Sequence, residues 1–172
     1  EIIGIRTDIS QRKVREEQLL LLESSVKNAN EGILITDANV TNLEGPLIVF
    51  ANEAMSKISG YSVAELIGNS PKMLQGPLTD PLEISKMSKA FANFQKVETE
   101  IVNYSKDGHP YYISLSIVPI KNKQGKVTHF VALERDTTEE RKQKEAIQEY
   151  LTRFELIARI SKIGIYDLDP NT

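Results

Sequence analysis

The sequence has no cysteine, no tryptophan and only two histidines among its 172 residues. Without thiols the chain forms no disulfide, no thiolate metal centre, no cysteine nucleophile and no covalent thiol–cofactor bond. Cysteine absence fits a reducing compartment. A cytoplasmic location is therefore expected, with membrane anchoring of a longer parent left open. His109 stands beside a turn and His129 opens a strand-like segment. Two isolated histidines supply neither a metal cluster nor a catalytic triad, so no metal is expected. The chain also lacks an excess of positive charge: its net charge is −3. Neither nucleic acid nor an anionic membrane surface is expected as a partner on that balance. No apolar run reaches the length that crosses a bilayer, and no glycine loop of the phosphate-cradling kind is present.

What is present is an echo between the two ends. Ile2, Ile3, Gly4, Ile5 and Asp8 lead into a charged helical run, as do Phe130, Val131, Ala132, Leu133 and Asp136. Further on, Gly32-Ile33 and Asp37 recur as Gly164-Ile165 and Asp169. Such a period predicts the tail of one domain with its linker helix over 1–30, a whole domain over 31–137, a linker helix over 138–162 and the head of another domain over 163–172. Hydrophobic residues are 40% and charged residues 26% of the chain, an ordinary globular composition.

Glu1 to Ile5 reads as a strand end, and Ser10 to Asn30 as a helix with Leu19, Leu22, Val26 and Ala29 at helical spacing. Gly32–Thr36 and Leu47–Ala51 read as short strands around a polar loop. Broken apolar signals between Asn52 and Gln75 predict small helices. Asp80 as cap and Pro81 at the first helical position open a longer helix, with Ile84, Met87, Phe91 and Phe94 as its apolar stripe. Three strands follow, Val97–Tyr104, Pro110–Ile120 and Val127–Arg135, separated by the turn signals Lys106-Asp107-Gly108 and Asn122–Gly125. Thr137 with Glu140 fits a capping box that opens a second long helix. The class is α+β, a five-stranded antiparallel sheet with short helices gathered on one face and linker helices at both ends.

Several motifs in this order carry a resemblance: Ile33–Asp37, Phe50–Ala54, Ser59–Asp80, Asn103–Gly108 and His129–Arg141. Over Glu31 to about Arg141 the chain resembles a PAS domain, in its light–oxygen–voltage (LOV) branch. That branch places a reactive Cys just before a basic-aromatic-Leu-Gln run. Here the run is Lys72-Met73-Leu74-Gln75 and the preceding residue is Pro71, so the resemblance excludes a photoadduct. LOV domains clamp the flavin phosphate with arginines, and the matching positions are Lys72 and Ser88. Their ring contacts come from two Asn and a Gln: Asn103 matches, Ile113 and Glu134 replace the others, and the motif Gln is kept as Gln75. On these departures no cofactor is expected, with flavin as the alternative. A haem ligand is not expected, since 81–93 holds no His.

The resemblance places Asn103 and Glu134 on the concave face of the sheet. Strand alternation then sets Tyr111, Ile113, Leu115, Ile117, Phe130 and Ala132 on the same side. The candidate pocket is Gln75, Asn103, Tyr111, Ile113, Leu115, Phe130 and Glu134. A filled core and a ligand cavity are both open on these residue types. Glu134 stands out, because a buried carboxylate must find donors, take a proton or pair with a cation. Asn103, Gln75 and Tyr111 are its expected partners. The opposite face, with Val102, Tyr104, Tyr112, Val118, Val131 and Leu133, is expected to be covered by the first helix or by a second copy.

In PAS families the last strand hands its state to the outgoing helix through an Asp-x-Thr motif. Asp136, Thr137 and Thr138 match it, with Arg141 as an ion-pair partner for Asp136. Leu19, Leu22 and Val26, and Ile147, Leu151 and Phe154, are the stripes where two chains would meet as a homodimer, or else pack on their own domain. The resemblance implies a non-catalytic sensor and relay module, joined to neighbouring PAS and output domains of a histidine kinase or diguanylate cyclase. A flavin redox sensor and a ligand-free dimerisation spacer remain the competing readings.

Overall fold

The computed structural model describes residues 2–40 and 45–165, with side chains described over 11–40 and 45–160. The chain divides into two compact units at Asp136/Thr137. In the first unit, helix α1 (Ile2–Lys27) precedes strands β1 (Gly32–Asp37) and β2 (Ile48–Ala51). Helices α2 (Glu53–Ser59) and α3 (Val63–Leu66), a 3-10 turn (Pro71–Leu74) and helix α4 (Pro81–Ala92) follow. The meander of β3 (Val97–Tyr104), β4 (Pro110–Lys121) and β5 (Val127–Asp136) closes a single antiparallel sheet of order β2-β1-β5-β4-β3. The second unit is helix α5 (Thr138–Ile165).

Local chemistry explains most boundaries. Asp80 accepts from Leu82 N at 2.8 Å with Pro81 behind it, so α4 starts where its first free N–H groups find a partner. Ser62 and Glu65 form a reciprocal capping box on α3. Gly108 sits at φ 79° in the hairpin between β3 and β4, in a left-handed conformation that glycine adopts without penalty. α4 stops at Ala92, one turn short of the expected stripe. Phe94 lies beyond it at φ 51°, with its ring stacked 6.2 Å from that of Phe130.

Two terminal expectations change. Residues 2–5 are helical, not the end of a strand. A strand without a neighbour leaves its backbone groups unpaired, whereas a helix satisfies them internally. Helix α5 likewise continues through Ile165, so residues 163–165, where the head of another domain and its first strand (Ile163 to Asp169) are expected, are helical, and residues 166–172 lie outside the described residues.

The core lines the concave face of the sheet. Ile101, Ile113, Leu115, Ile117 and Phe130 pack with Met87 of α4. Leu34, Ile48, Met55, Leu66 and Leu74 form a second cluster, and Ala132 touches both. Of the two expected covers for the convex face, the first helix does not close it off. Val118 and Leu133 are 38% and 39% exposed, and Leu19 and Leu22 of α1 stay open to solvent. Among the described residues no helix is long and apolar enough to cross a membrane.

Candidate functional site

A cavity of about 290 Å³ separates the concave face from α4 and the 3-10 turn. Its sheet wall is Leu34, Ile101, Leu115, Ile117, Phe130 and Ala132, and its helical wall includes Ile84, Met87 and Phe91. Both the packed core and the cavity allowed by the residue types therefore exist, side by side. Phe91 sets its ring edge-on to Phe130, centroids 4.7 Å apart, which fixes one wall. The size lies at the lower end of ordinary ligand pockets, and the mainly apolar lining with a few polar groups is their usual make-up.

Of the seven expected pocket residues, Gln75, Asn103, Leu115, Phe130 and Glu134 line the cavity. Tyr111 and Ile113 do not. They share the concave face but are taken up by the packed core, Ile113 fully enclosed opposite Ile101 and Tyr111 opposite Asn103. Lys72 and Ser88, the positions matched to the phosphate clamp, lie on the wall with Ser70 and Pro71.

One end of the site is polar and unsatisfied. Asn103 Oδ1, Tyr111 Oη and Glu134 Oε2 are buried and have no hydrogen-bond partner. Native proteins leave few such atoms, because each forfeits its hydration without return. The expected satisfied cluster of Glu134 with Asn103, Gln75 and Tyr111 is thus not formed by these atoms. Burial pushes the Glu134 carboxyl up to about 7. Burial also pushes the Tyr111 hydroxyl well above its usual range, with the nearby Glu134 adding to the effect and Asn103 opposing it.

The backbone makes room for this carboxyl. Glu134 pairs with Leu115 of β4 and Gly32 of β1. A Cβ on Gly32 would come within 2.9 Å of Met55 Sδ and 3.4 Å of Glu134 Cβ. The glycine lets α2 close over the strand beside the carboxyl. The segment between the 3-10 turn and α4 is tied to β3: Thr79 donates to Val102 O at 2.6 Å and accepts from Gly76 N at 2.9 Å. Leu78 N donates to Tyr104 Oη at 2.9 Å, with the Tyr104 ring laid across Gly76 where any Cβ would strike it.

Asn52 is a structural residue that spacing alone did not single out, although it lies in the Phe50–Ala54 motif. Its Oδ1 accepts from Ile33 N at 2.9 Å and Met55 N at 3.0 Å. Its Nδ2 donates to Glu31 O at 3.0 Å and Val26 O at 3.2 Å. One buried amide thereby joins the end of α1, the start of β1 and the cap of α2. At the same end of the sheet, where the start of β1 lies against the end of β5, Asp136 closes β5 opposite Ile113. Arg141 N donates to Thr137 O at 2.9 Å as the first turn of α5, and the Arg141 guanidinium lies 3.4 Å from Glu145.

The profile of the PAS domain family matches residues 30–139. The chain belongs to the PAS domain family. The chain is 34% identical over 136 residues to a blue-light-activated histidine kinase of Brucella anthropi, a match covering 73% of this chain and 28% of that protein. A solved RNA-binding LOV receptor matches at 31% identity and TM-score 0.66, over 77% of this chain and 36% of that one. The LOV domain of the Erythrobacter litoralis blue-light-activated histidine kinase matches at 27% and 0.59, over 64% of this chain and 99% of that domain. This PAS domain is a sensor module of a signalling protein, not itself catalytic, and the chain spans under a third of the Brucella relative.

These likenesses overturn the expectation that no cofactor is bound. That expectation rested on substitutions at Ile113 and Glu134 and a thinned phosphate clamp. Yet the neighbours that share the fold are LOV domains and point to a flavin. The residues present fit such a group. The apolar slot suits a flat ring, the orphaned atoms of Asn103 and Glu134 suit a polar ring edge, and Lys72 with Ser70 and Ser88 suits an anionic tail.

Proposed function

We propose that the pocket binds a flavin and that the domain senses through it without a cysteinyl adduct. The observation that carries this is the pair of cavity-lining residues, Asn103 and Glu134, that each hold a buried polar atom without a partner in an otherwise apolar cavity. A flavin supplies redox and light-absorbing chemistry when bound. The protein's own share is to enclose the ring between Phe130, Leu115 and Met87, satisfy its polar edge and exclude water. Pro71 stands on the wall where the LOV pattern has its thiol, so the signal is a change in charge and hydrogen bonding, not a new covalent bond. Purification and reconstitution with riboflavin and flavin mononucleotide test this. A tightly retained flavin with an oxidised-flavin spectrum, and no thiol-adduct bleaching in blue light, is expected. A colourless protein that quenches neither flavin's fluorescence overturns it.

The output runs through β5. Glu134 lies two residues before Asp136, so a change at the polar end of the pocket acts on the end of β5, the strand that Thr137 and Thr138 follow in sequence. The parent is of histidine-kinase type. The helices α1 and α5 link this domain to neighbouring PAS and output domains, the first and last boundaries lying near residues 30 and 138. Leu19, Leu22, Ile147, Leu151 and Phe154 are each at least half exposed. Exposed leucine and aromatic positions at helical spacing on both linkers support pairing with a second copy of the chain. Sedimentation equilibrium of the whole chain, compared with L151E, tests that reading; a concentration-independent monomer refutes it.

A further inference from the structure

We propose that Glu134 binds the ligand as a neutral, hydrogen-donating carboxyl, and so sets the pocket's preference for a heterocycle that presents an acceptor at this point. The inference rests on the flavin reading and deepens it. Glu134 is 3% exposed and lines the cavity, and its Oε2 is buried without a partner. Asn103 Oδ1, equally orphaned, offers only an acceptor. A neutral carboxyl on the wall of the same cavity offers a donor, so the two residues together suit a heterocycle that presents an acceptor to one and a donor to the other. An ionised Glu134 would leave two acceptors there and repel any ligand carbonyl or ring nitrogen that faces it.

The surroundings favour the neutral form. From β4 comes Tyr111, whose hydroxyl stays protonated, and Tyr61, after α2, acts on that same hydroxyl. Asp136, further along β5, acts on that hydroxyl as well. From α4 the wall presents Met87 and Ser88, and from β1 the paired residue is Gly32. The cation on the cavity wall is Lys72, on the 3-10 turn. Burial, with no opposing charge acting on it, is what holds the proton on Glu134.

Ligand binding is then linked to a proton. Riboflavin, which carries no phosphate to engage Lys72, is the probe. Its affinity for the flavin-stripped protein, read by fluorescence quenching from about pH 5.5 to about pH 8.5, is expected to fall by about tenfold per pH unit once Glu134 ionises in the free protein. Calorimetry in buffers of different ionisation heat should show uptake of about one proton at the alkaline end. E134Q keeps a donor but cannot ionise, and should remove both the slope and the proton uptake. E134A should weaken binding at every pH. Riboflavin binding with a flat wild-type profile, or affinity rising with pH, overturns the inference while leaving the flavin reading intact. No riboflavin binding at any pH overturns the inference, and the flavin reading falls with it only when flavin mononucleotide is not bound either. Should E134Q fail to fold, the wild-type slope and proton uptake decide by themselves.

Discussion

Replacing Asn52 with alanine removes four side-chain hydrogen bonds at once, from a residue only 2% exposed. A net hydrogen bond is worth about 1 kcal/mol, and a buried group left without its partner costs about 1–3 kcal/mol. Val26 O, at the frayed end of α1, can recover water. Ile33 N and Met55 N are enclosed, and their losses dominate. The expected destabilisation is therefore about 2–4 kcal/mol. For a domain of this size that lowers the melting temperature by on the order of 10 °C. N52D separates the two halves of the amide. It keeps an acceptor for Ile33 N and Met55 N but turns a carboxylate oxygen toward the carbonyls of Val26 and Glu31, so it should be at least as harmful as N52A at neutral pH and less so in acid. Urea denaturation gives the energies. Hydrogen exchange at the Ile33 and Met55 amides reports the site, and both should lose protection ahead of the meander. A cost for N52A under about 1 kcal/mol, or unchanged exchange at Ile33, would refute the idea that this amide joins α1 to the sheet.

Other consequences can be measured on the same preparation. The Glu134 carboxyl titrates at about 7 when folded against an ordinary 4.5, so the folded chain keeps a proton that the unfolded chain releases between these values. Stability of the ligand-free protein should fall as pH rises through that window, by about 3 kcal/mol at about pH 8, and E134Q should abolish the fall in denaturation midpoints; parallel wild-type and E134Q profiles would contradict it. Glu65, bonded to Lys106 at 2.6 Å and to the Ser62 backbone and hydroxyl, is held down at about 2. Carboxyl carbon NMR should place its midpoint there, and K106M should move it back toward the usual carboxylate range; no movement would sink the assignment of cause. G76A drives a Cβ into the Tyr104 ring and should cost about 1–3 kcal/mol in thermal melts, while Y104F, which loses only the bond from Leu78 N, should cost about 1 kcal/mol; equal effects would show that the ring is not seated as described.

Much of this architecture follows from residues close together in the chain. Asp80-Pro81 sets the start of α4, Lys106-Asp107-Gly108 turns β3 into β4, and the strict alternation through Val97–Asn103 and Tyr111–Ile117 assigns the buried face. Each depends on backbone geometry, capping or a period of two, which act within a few residues. The position of Pro71, and with it the exclusion of an adduct, is equally a matter of sequence. Tertiary structure decided what depends on separation in space. It left a cavity beside Phe130 where the same residue types could have closed a solid core, and it moved Tyr111 and Ile113 off the cavity wall. It carried helix α1 through residues 2–5, where hydrophobic content alone suggested a strand without supplying a neighbour. It also gave Asn52 four partners from three elements, and left Glu134 with an unpaired oxygen. Burial and hydrogen-bond satisfaction are sums over residues distant in the chain, and so become definite only when the sheet has closed.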